Sequence, residues 1–255
     1  MALELFTISC RTDNYAYLLH DAGSGATALI DAPEAAPILA ALAQRGWTLS
    51  DILITHHHGD HVEAVAEIVA ATQARVTGAA ADAHRLPPLT RAVKEGDAVQ
   101  VGPESGHVID VPGHTVGHIA FYFPDSGYAF TADSLMAGGC GRLLEGTPVQ
   151  MWDSLQKLAQ LPPETLICSG HEYTAANLRF AASLDPGNAA LQARIARVAT
   201  ARAENRATVP SRLAGELATN PFLRADTPAL RQATGMPNAA AAAVFAEIRA
   251  RKDRF

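Results

Sequence analysis

The spacing of apolar residues changes period several times along this chain, and each change predicts an element. "YAYLLH" (15–20) and "ATALID" (26–31) are short apolar runs on either side of the glycine-rich "DAGSGA", the pattern of a β-hairpin. In "EAAPILAALAQRG" (34–46), Ile38, Leu39 and Leu42 fall at helical spacing and Gly46 offers a C-cap. "DILI" (51–54) reads as a short buried strand, and "HVEAVAEIVAAT" (61–72) sets Val62, Val65, Ile68 and Val69 on one helical face. Further strands are predicted at 107–111, 119–123, 128–131 and 165–168, with "PDSG" (124–127) turning between the middle two.

From about residue 173 the texture changes. Strand-like runs stop, and alanine-rich helical segments take over. "ALQARIARVATARAE" (190–204) carries Leu191, Ile195 and Val198 on one stripe, and "NAAAAAVFAEIRARK" (238–252) carries Val244, Phe245 and Ile248. The pattern predicts a mixed α/β domain over 1–172 and a smaller α-helical domain over 173–255. No internal repeat is visible.

Composition narrows the class. Hydrophobic residues make up 48% and charged residues 18% of the 255, enough apolar surface for a packed core and too little charge for a disordered chain. A formal charge of −6 gives no basic surface for nucleic acid. No run of about 18 apolar residues suggests a membrane span, and "MALELFTISCRTDN" lacks the basic region of a secretory signal. Three cysteines (Cys10, Cys140, Cys168) without a CxxC pair indicate neither a disulfide framework nor a thiolate metal site. The expectation is a reduced, soluble, cytoplasmic protein.

The chemistry concentrates after the predicted strands. "DILI" is followed by "THHHGDH" with His56, His58, Asp60 and His61; "HVIDV" by "PGHTVGH" with His114; "YAFT" by Asp133; and "TLIC" by His171. In an α/β domain such strand ends can meet at one edge, where loops carry function on a rigid frame. Imidazole and carboxylate are ligands for zinc, iron or manganese. His56 and His58, two apart in an extended loop, project to the same side and His57 to the other. Seven candidate ligands exceed the four of a closed tetrahedral site, and with one carboxylate bridging they fit two metals. His57 reads as a helix-entry or supporting residue, and His118 as a hydrogen-bonding scaffold residue. His20, His84 and His107 read as structural, Cys168 as a small core residue and Cys140 as a packed loop residue.

"THHHGDH" is the HxHxDH signature of the metallo-β-lactamase superfamily, and "PGHTVGH" and "TADS" resemble its later metal motifs. "DNYAYLL", "GGCGRLLEGT" (138–147), "GHEYTAANLRFA" (170–181), "NPFLR" (220–224) and "RARKDRF" (249–255) resemble the glyoxalase II (hydroxyacylglutathione hydrolase) family, over essentially the whole chain. The resemblance implies a four-layer αββα sandwich followed by a helical domain. It implies a thioester hydrolase for S-D-lactoylglutathione, the second step of methylglyoxal detoxification, in which a metal-bridging hydroxide attacks the carbonyl. It implies two divalent metals per chain, zinc first, with iron or manganese as alternatives. His56, His58 and His114 would hold one metal, and Asp60, His61 and His171 the other. Asp133 would bridge, with Asp60 and Asp133 as the catalytic carboxylates. Arg142, Tyr173, Arg249 and Lys252 would bind glutathione in a monomeric enzyme. The departure is Leu144, where many members carry an aromatic residue, often tyrosine. Of the four cations in the tail, Arg251 and Arg254 read as a solvated helix end against the dipole. A glutathione persulfide dioxygenase with a single iron is the alternative activity; the long basic-tailed helical domain argues against it.

Overall fold

The computed structural model describes residues 2–255; Met1, the first position of the predicted α/β domain, lies outside them. By its contacts the chain forms two compact units. One comprises the residues up to Asp110 with Gly117–Thr131, and the other Val111–Val116 with Ala132–Phe255.

In the first unit, β1 (Glu4–Cys10), β2 (Asn14–His20), β3 (Thr27–Ile30), β4 (Leu49–Leu53), β5 (Arg75–Ala79) and β6 (Arg91–Val93) form one sheet in that order. The first three pair antiparallel and the rest parallel. Parallel neighbours need crossovers. α1 (Ala35–Arg45) connects β3 to β4, and α2 (Gly59–Val62) with α3 (Val65–Thr72) connects β4 to β5. Ile38 and Leu42 of α1 and Val65 and Ile68 of α3 pack with Leu18, Leu29, Ile52 and Val76 into one apolar cluster. Each such side chain contributes about 1.5–3 kcal/mol on burial. β7 (Ala98–Val101), β8 (Glu104–Asp110), β9 (Ile119–Phe123) and β10 (Tyr128–Ala132) form an antiparallel meander; the last residue of β10 begins the second unit. Tyr17 of the first sheet meets Phe130 of the meander edge to face at 5.5 Å. This unit thus layers helix, sheet and sheet.

The predicted hairpin, α1 with its left-handed Gly46 cap, and the four later strands are all present. The helix expected over 61–72 is broken at Glu63–Ala64. There the backbone bonds to the segment after β3 instead, Ala64 N to Ala32 O at 3.0 Å and Ala32 N to His61 O at 2.8 Å. Tertiary hydrogen bonds replace intrahelical ones, and α2 becomes a single turn that carries His61. β5, five residues long and interrupted by Gly78, went unpredicted; a Cβ at Gly78 would lie 2.9 Å from Leu86 Cδ1.

The second unit holds the two-residue strands β11 (Leu135–Met136) and β12 (Gly139–Cys140), α4 (Pro148–Ala159) and β13 (Leu166–Ser169). α5 (Thr174–Leu184), α6 (Ala189–Ala203), β14 (Ser211–Arg212), α7 (Leu213–Thr219), α8 (Pro228–Thr234) and α9 (Ala241–Arg254) follow. β14 corrects the expectation that strands stop near 173. It pairs antiparallel with β13, but two residues are too few to show a period. α4 was unpredicted although its start is well marked, with a Thr147–Gln150 capping box and Pro148 in the first turn. Leu178 and Ala181 of α5 pack on Leu191 and Val198 of α6. Phe180, Phe222, Phe245 and Trp152 form a chain of ring contacts joining α5, the segment after α7, α9 and α4.

Candidate functional site

In the first unit, β3 and β4 run parallel with Ile30 opposite Leu53, so the chain leaves both strands at the same edge. Asp31 follows one and Thr55–His61 the other. Thr55 donates to Asp31 from its backbone N (2.9 Å) and its hydroxyl (2.8 Å), and His61 Nδ1 donates to Asp31 Oδ2 at 2.8 Å. An ionised carboxylate only accepts, so His61 carries its proton on Nδ1 and presents a lone pair on Nε2. With the Thr55 hydroxyl proton committed to Asp31, Thr55 Oγ1 accepts from His56 Nδ1 at 3.0 Å, which fixes the same tautomer on His56. His56 Nε2 then faces His58 Nδ1 at 3.1 Å, and His61 Nε2 lies 3.8 Å from Asp60 Oδ2. The lone pairs of His56 and His61 thus lie beside His58 Nδ1 and Asp60 Oδ2, donor sets suited to a cation. Asn14 steadies the second set, with its Nδ2 3.1 Å from both Asp60 Oδ2 and Asp60 O.

Supporting groups complete this half. His118 stacks on His56 with centroids 4.6 Å apart, and its Nδ1 donates to Ile119 O at 3.1 Å. His57 turns away, its Nδ1 3.3 Å from Asp82 Oδ2, and Arg85 holds the other oxygen of Asp82 at 2.8 Å. A Cβ on Gly117 would sit 2.2 Å from Asp82 Cγ, so only glycine fits there. Asp31 and Asp82 escaped the reading of the sequence. Asp31 offers the signal used elsewhere, an acid just past a strand, together with a positive φ of 57°. Its oxygens are taken by Thr55 and His61, so it orients the segment that carries His56 and His61.

In the second unit, His114, Asp133 and His171 come together, all buried. Asp133 Oδ2 lies 3.5 Å from His114 Nε2 and 3.3 Å from His171 Nε2, one carboxylate oxygen between two imidazoles. His114 Nδ1 donates to Arg142 O at 2.8 Å, which leaves its Nε2 basic. His171 stacks on Tyr173 with centroids 4.7 Å apart and rings within 5° of parallel. In both units, imidazole lone pairs and carboxylate oxygens face one another, a donor set that a divalent cation satisfies.

The residues expected to hold glutathione also belong to this unit. Arg142 and Tyr173 are exposed, and so is Leu144 at 59%, which rules out its packing into the helical domain. Arg249 is 5% exposed. Its Nη1 donates to Cys140 O at 3.0 Å, and its Nε and Nη2 to Asp253 at 3.1 and 2.8 Å. Lys252, one turn on, reaches Ala176 O at 3.3 Å. Burial, with Arg249 and Arg179 nearby, pulls its ammonium down from 10.5 to about 8. Arg251 departs from the solvated reading. It donates to Ala233 O and Thr234 O, both at 3.0 Å, and so closes the C-terminus of α8. Burial raises the Cys140 thiol to about 11 and that of Cys168 well above the usual range, so neither is a thiolate at neutral pH.

Comparison with known proteins covers nearly the whole chain. Residues 12–171 match the metallo-β-lactamase superfamily, and residues 172–255 match the hydroxyacylglutathione hydrolase C-terminus. The hydroxyacylglutathione hydrolase of Fuscovulum blasticum is 66% identical over all 255 residues, 100% of both chains. That of a Cereibacter sphaeroides strain is 64% identical over the same span, again 100% of both. Among solved structures, a protein described as TTHA1623 in a di-iron-bound form is 31% identical, with a TM-score of 0.59 over 65% of this chain and 91% of that one. The fold is that of the metallo-β-lactamases with a helical C-terminal domain, and the His/Asp groups suit divalent metal. No helix among the described residues is long and apolar enough to cross a membrane.

Proposed function

We propose that this chain, which belongs to the hydroxyacylglutathione hydrolase family of the metallo-β-lactamase superfamily, hydrolyses S-D-lactoylglutathione and related 2-hydroxyacyl glutathiones. The products are glutathione and the free hydroxy acid. The observation that carries this reading is the full-length likeness to relatives bearing that name. On the same reading, residues 1–172 are the catalytic domain and 173–255 the helical glutathione-binding domain of a cytoplasmic monomer.

His56, His58 and His114 would hold one divalent ion, zinc first among the candidates, and Asp60, His61 and His171 the other, with Asp133 shared. Such ions supply an acidified water and polarise the thioester carbonyl. The chain's own residues do the rest. Asp31, Thr55 and the Arg142 carbonyl keep His61, His56 and His114 respectively in the tautomer that presents Nε2. Asp60 and Asp133 would serve as the catalytic carboxylates. Arg142, Tyr173, Arg249 and Lys252 bind glutathione, whose two carboxylates suit a guanidinium and an ammonium. Hydrolysis would form a bond from a water oxygen to the carbonyl carbon and break the C–S bond, with glutathione leaving as a thiolate that takes up the proton the water gives up. A thiolate leaves readily, so no strong protein acid is required.

The test is thioester hydrolysis of S-D-lactoylglutathione by purified protein, with elemental analysis of the same sample. Rapid hydrolysis with up to two metals per chain is the expected result. One iron per active chain, with oxygen consumed on glutathione persulfide, would move the assignment to the dioxygenase.

A further inference from the structure

We propose that Asn177, Glu216 and Asn220 of the helical segments are positioning residues for His114, acting through the loop 136–142. The proposal rests on the functional reading above for its kinetic consequence. The loop "MAGGCGR" carries three glycines and supplies few side chains to hold itself. Its backbone is instead held from outside. Asn177 Nδ2 donates to Ala137 O at 3.1 Å, and Gly138 N donates to Glu216 Oε2 at 2.8 Å. Asn220 Nδ2 lies 2.9 Å from Gly139 O and 3.2 Å from Met136 O. The loop then passes so close to Asp133 that a Cβ on Gly141 would sit 2.0 Å from Asp133 O. It ends at Arg142, whose carbonyl accepts from His114 Nδ1.

Glu216 is itself fully fixed. Its Oε1 accepts from Ser211 Oγ at 2.6 Å and pairs with Arg194, which also donates to Thr219 Oγ1 at 2.7 Å. Glu216 and Asn220 are 0% exposed and Arg194 is 7% exposed. A buried ion pair is a weak source of stability, since apolar residues of similar volume often serve as well. What it provides is direction, because each oxygen of Glu216 has a named partner and one of them is the loop. A displaced Arg142 carbonyl would free His114 to take either tautomer, and only one of them leaves Nε2 basic.

Metal-free protein labelled with 15N-histidine tests this. Long-range proton–nitrogen spectra read the tautomer of His114, assigned by the signal lost in His114→Gln. Wild type should show Nδ1–H alone. Asn220→Ala should show a mixture and, once metal is restored, lose about ten- to a hundred-fold in kcat, with KM for lactoylglutathione changed far less. If Asn220→Ala does not fold, Asn177→Ala, which removes only the bond to Ala137 O, is read in the same way. A folded variant with a lower Tm but an unaltered His114 tautomer and kcat would overturn the proposal. Failure of wild type to hydrolyse the thioester would sink the functional reading instead, and the tautomer arm would still report.

Discussion

His56, His58, Asp60 and His61 come from one short segment after β4, whereas His114, Asp133 and His171 each follow a different strand. In the first unit one carboxylate, Asp31, orients the loop through Thr55 and His61 within a rigid parallel edge. In the second, His114 is oriented by a backbone carbonyl from a glycine-rich loop that helices hold in place. The dispersed group lies in the same unit as Arg142, Tyr173, Arg249 and Lys252, the residues proposed to bind glutathione. On the proposed reading, metal ligation and substrate recognition share the second unit, whereas the first contributes ligands alone.

The sharpest way to break this contrast is to remove Asp133, the carboxylate between two imidazoles. Asp133→Ala should lower metal content and cut activity beyond the roughly 10–100-fold typical of groups that merely orient ligands, with the protein still folded. Elemental analysis and circular dichroism check it; full metal content in an active variant would show that Asp133 does not bridge.

Asp31→Asn probes the other half with a smaller expected effect. Asparagine tolerates the positive φ at this position, but its amide cannot satisfy Thr55 and His61 Nδ1 together. Metal affinity, measured by chelator competition, should fall by about 10–100-fold. An unchanged affinity would mean that the strand edge alone orients the loop.

Lys252 tests the recognition side. Lys252→Ala should raise KM more than it lowers kcat, with kcat/KM reduced about ten- to a hundred-fold, the range of a charge-assisted hydrogen bond of about 1.5–3 kcal/mol. Its pH dependence has a definite sign. The ammonium, which a carboxylate attracts, is present below about 8 in the free protein and lost above it. Affinity should therefore hold at neutral pH and weaken as pH rises past 8, and Lys252→Arg should abolish that rise in KM. A flat KM from pH 7 to 9 in wild type would remove Lys252 from the carboxylate contact.

The smallest expected effect belongs to Leu144. A tyrosine hydroxyl there could donate to glutathione, and a neutral hydrogen bond contributes about 0.5–1.5 kcal/mol, or roughly two- to twelve-fold in affinity. Leu144→Tyr should lower KM by that factor with kcat nearly constant. Because Leu144 is 59% exposed, the larger ring meets no core packing. A KM that stays level or rises would take the position out of the thiol-ligand site.

Several elements show why parts of the molecule were legible and others not. α1 was visible because its apolar positions repeat at helical spacing and end on Gly46. α3 was visible, but its separation from α2 was not, since Ala32, thirty residues upstream, supplies the bonds that break the helix. β6, β12 and β14 have two or three residues each, too short to display a period. The candidate ligands were readable because metal-competent residues recur after strands at a density that chance rarely produces. The groups that orient them were not. Asp31, Asp82 and Glu216 resemble ordinary acids in the sequence, and only folding shows which partners they face.

By itself, then, the sequence determined the side-chain chemistry, the longer periodic elements and the family, because period and residue type are local properties of the chain. Tertiary structure alone decided which tautomer His56, His61 and His114 hold, that Arg249 is buried against the Cys140 carbonyl, and that burial lowers the Lys252 ammonium to about 8. Those properties depend on burial and on partners many residues away. Hydrogen-bond geometry and desolvation act through space, and no pattern of neighbours along the chain records them.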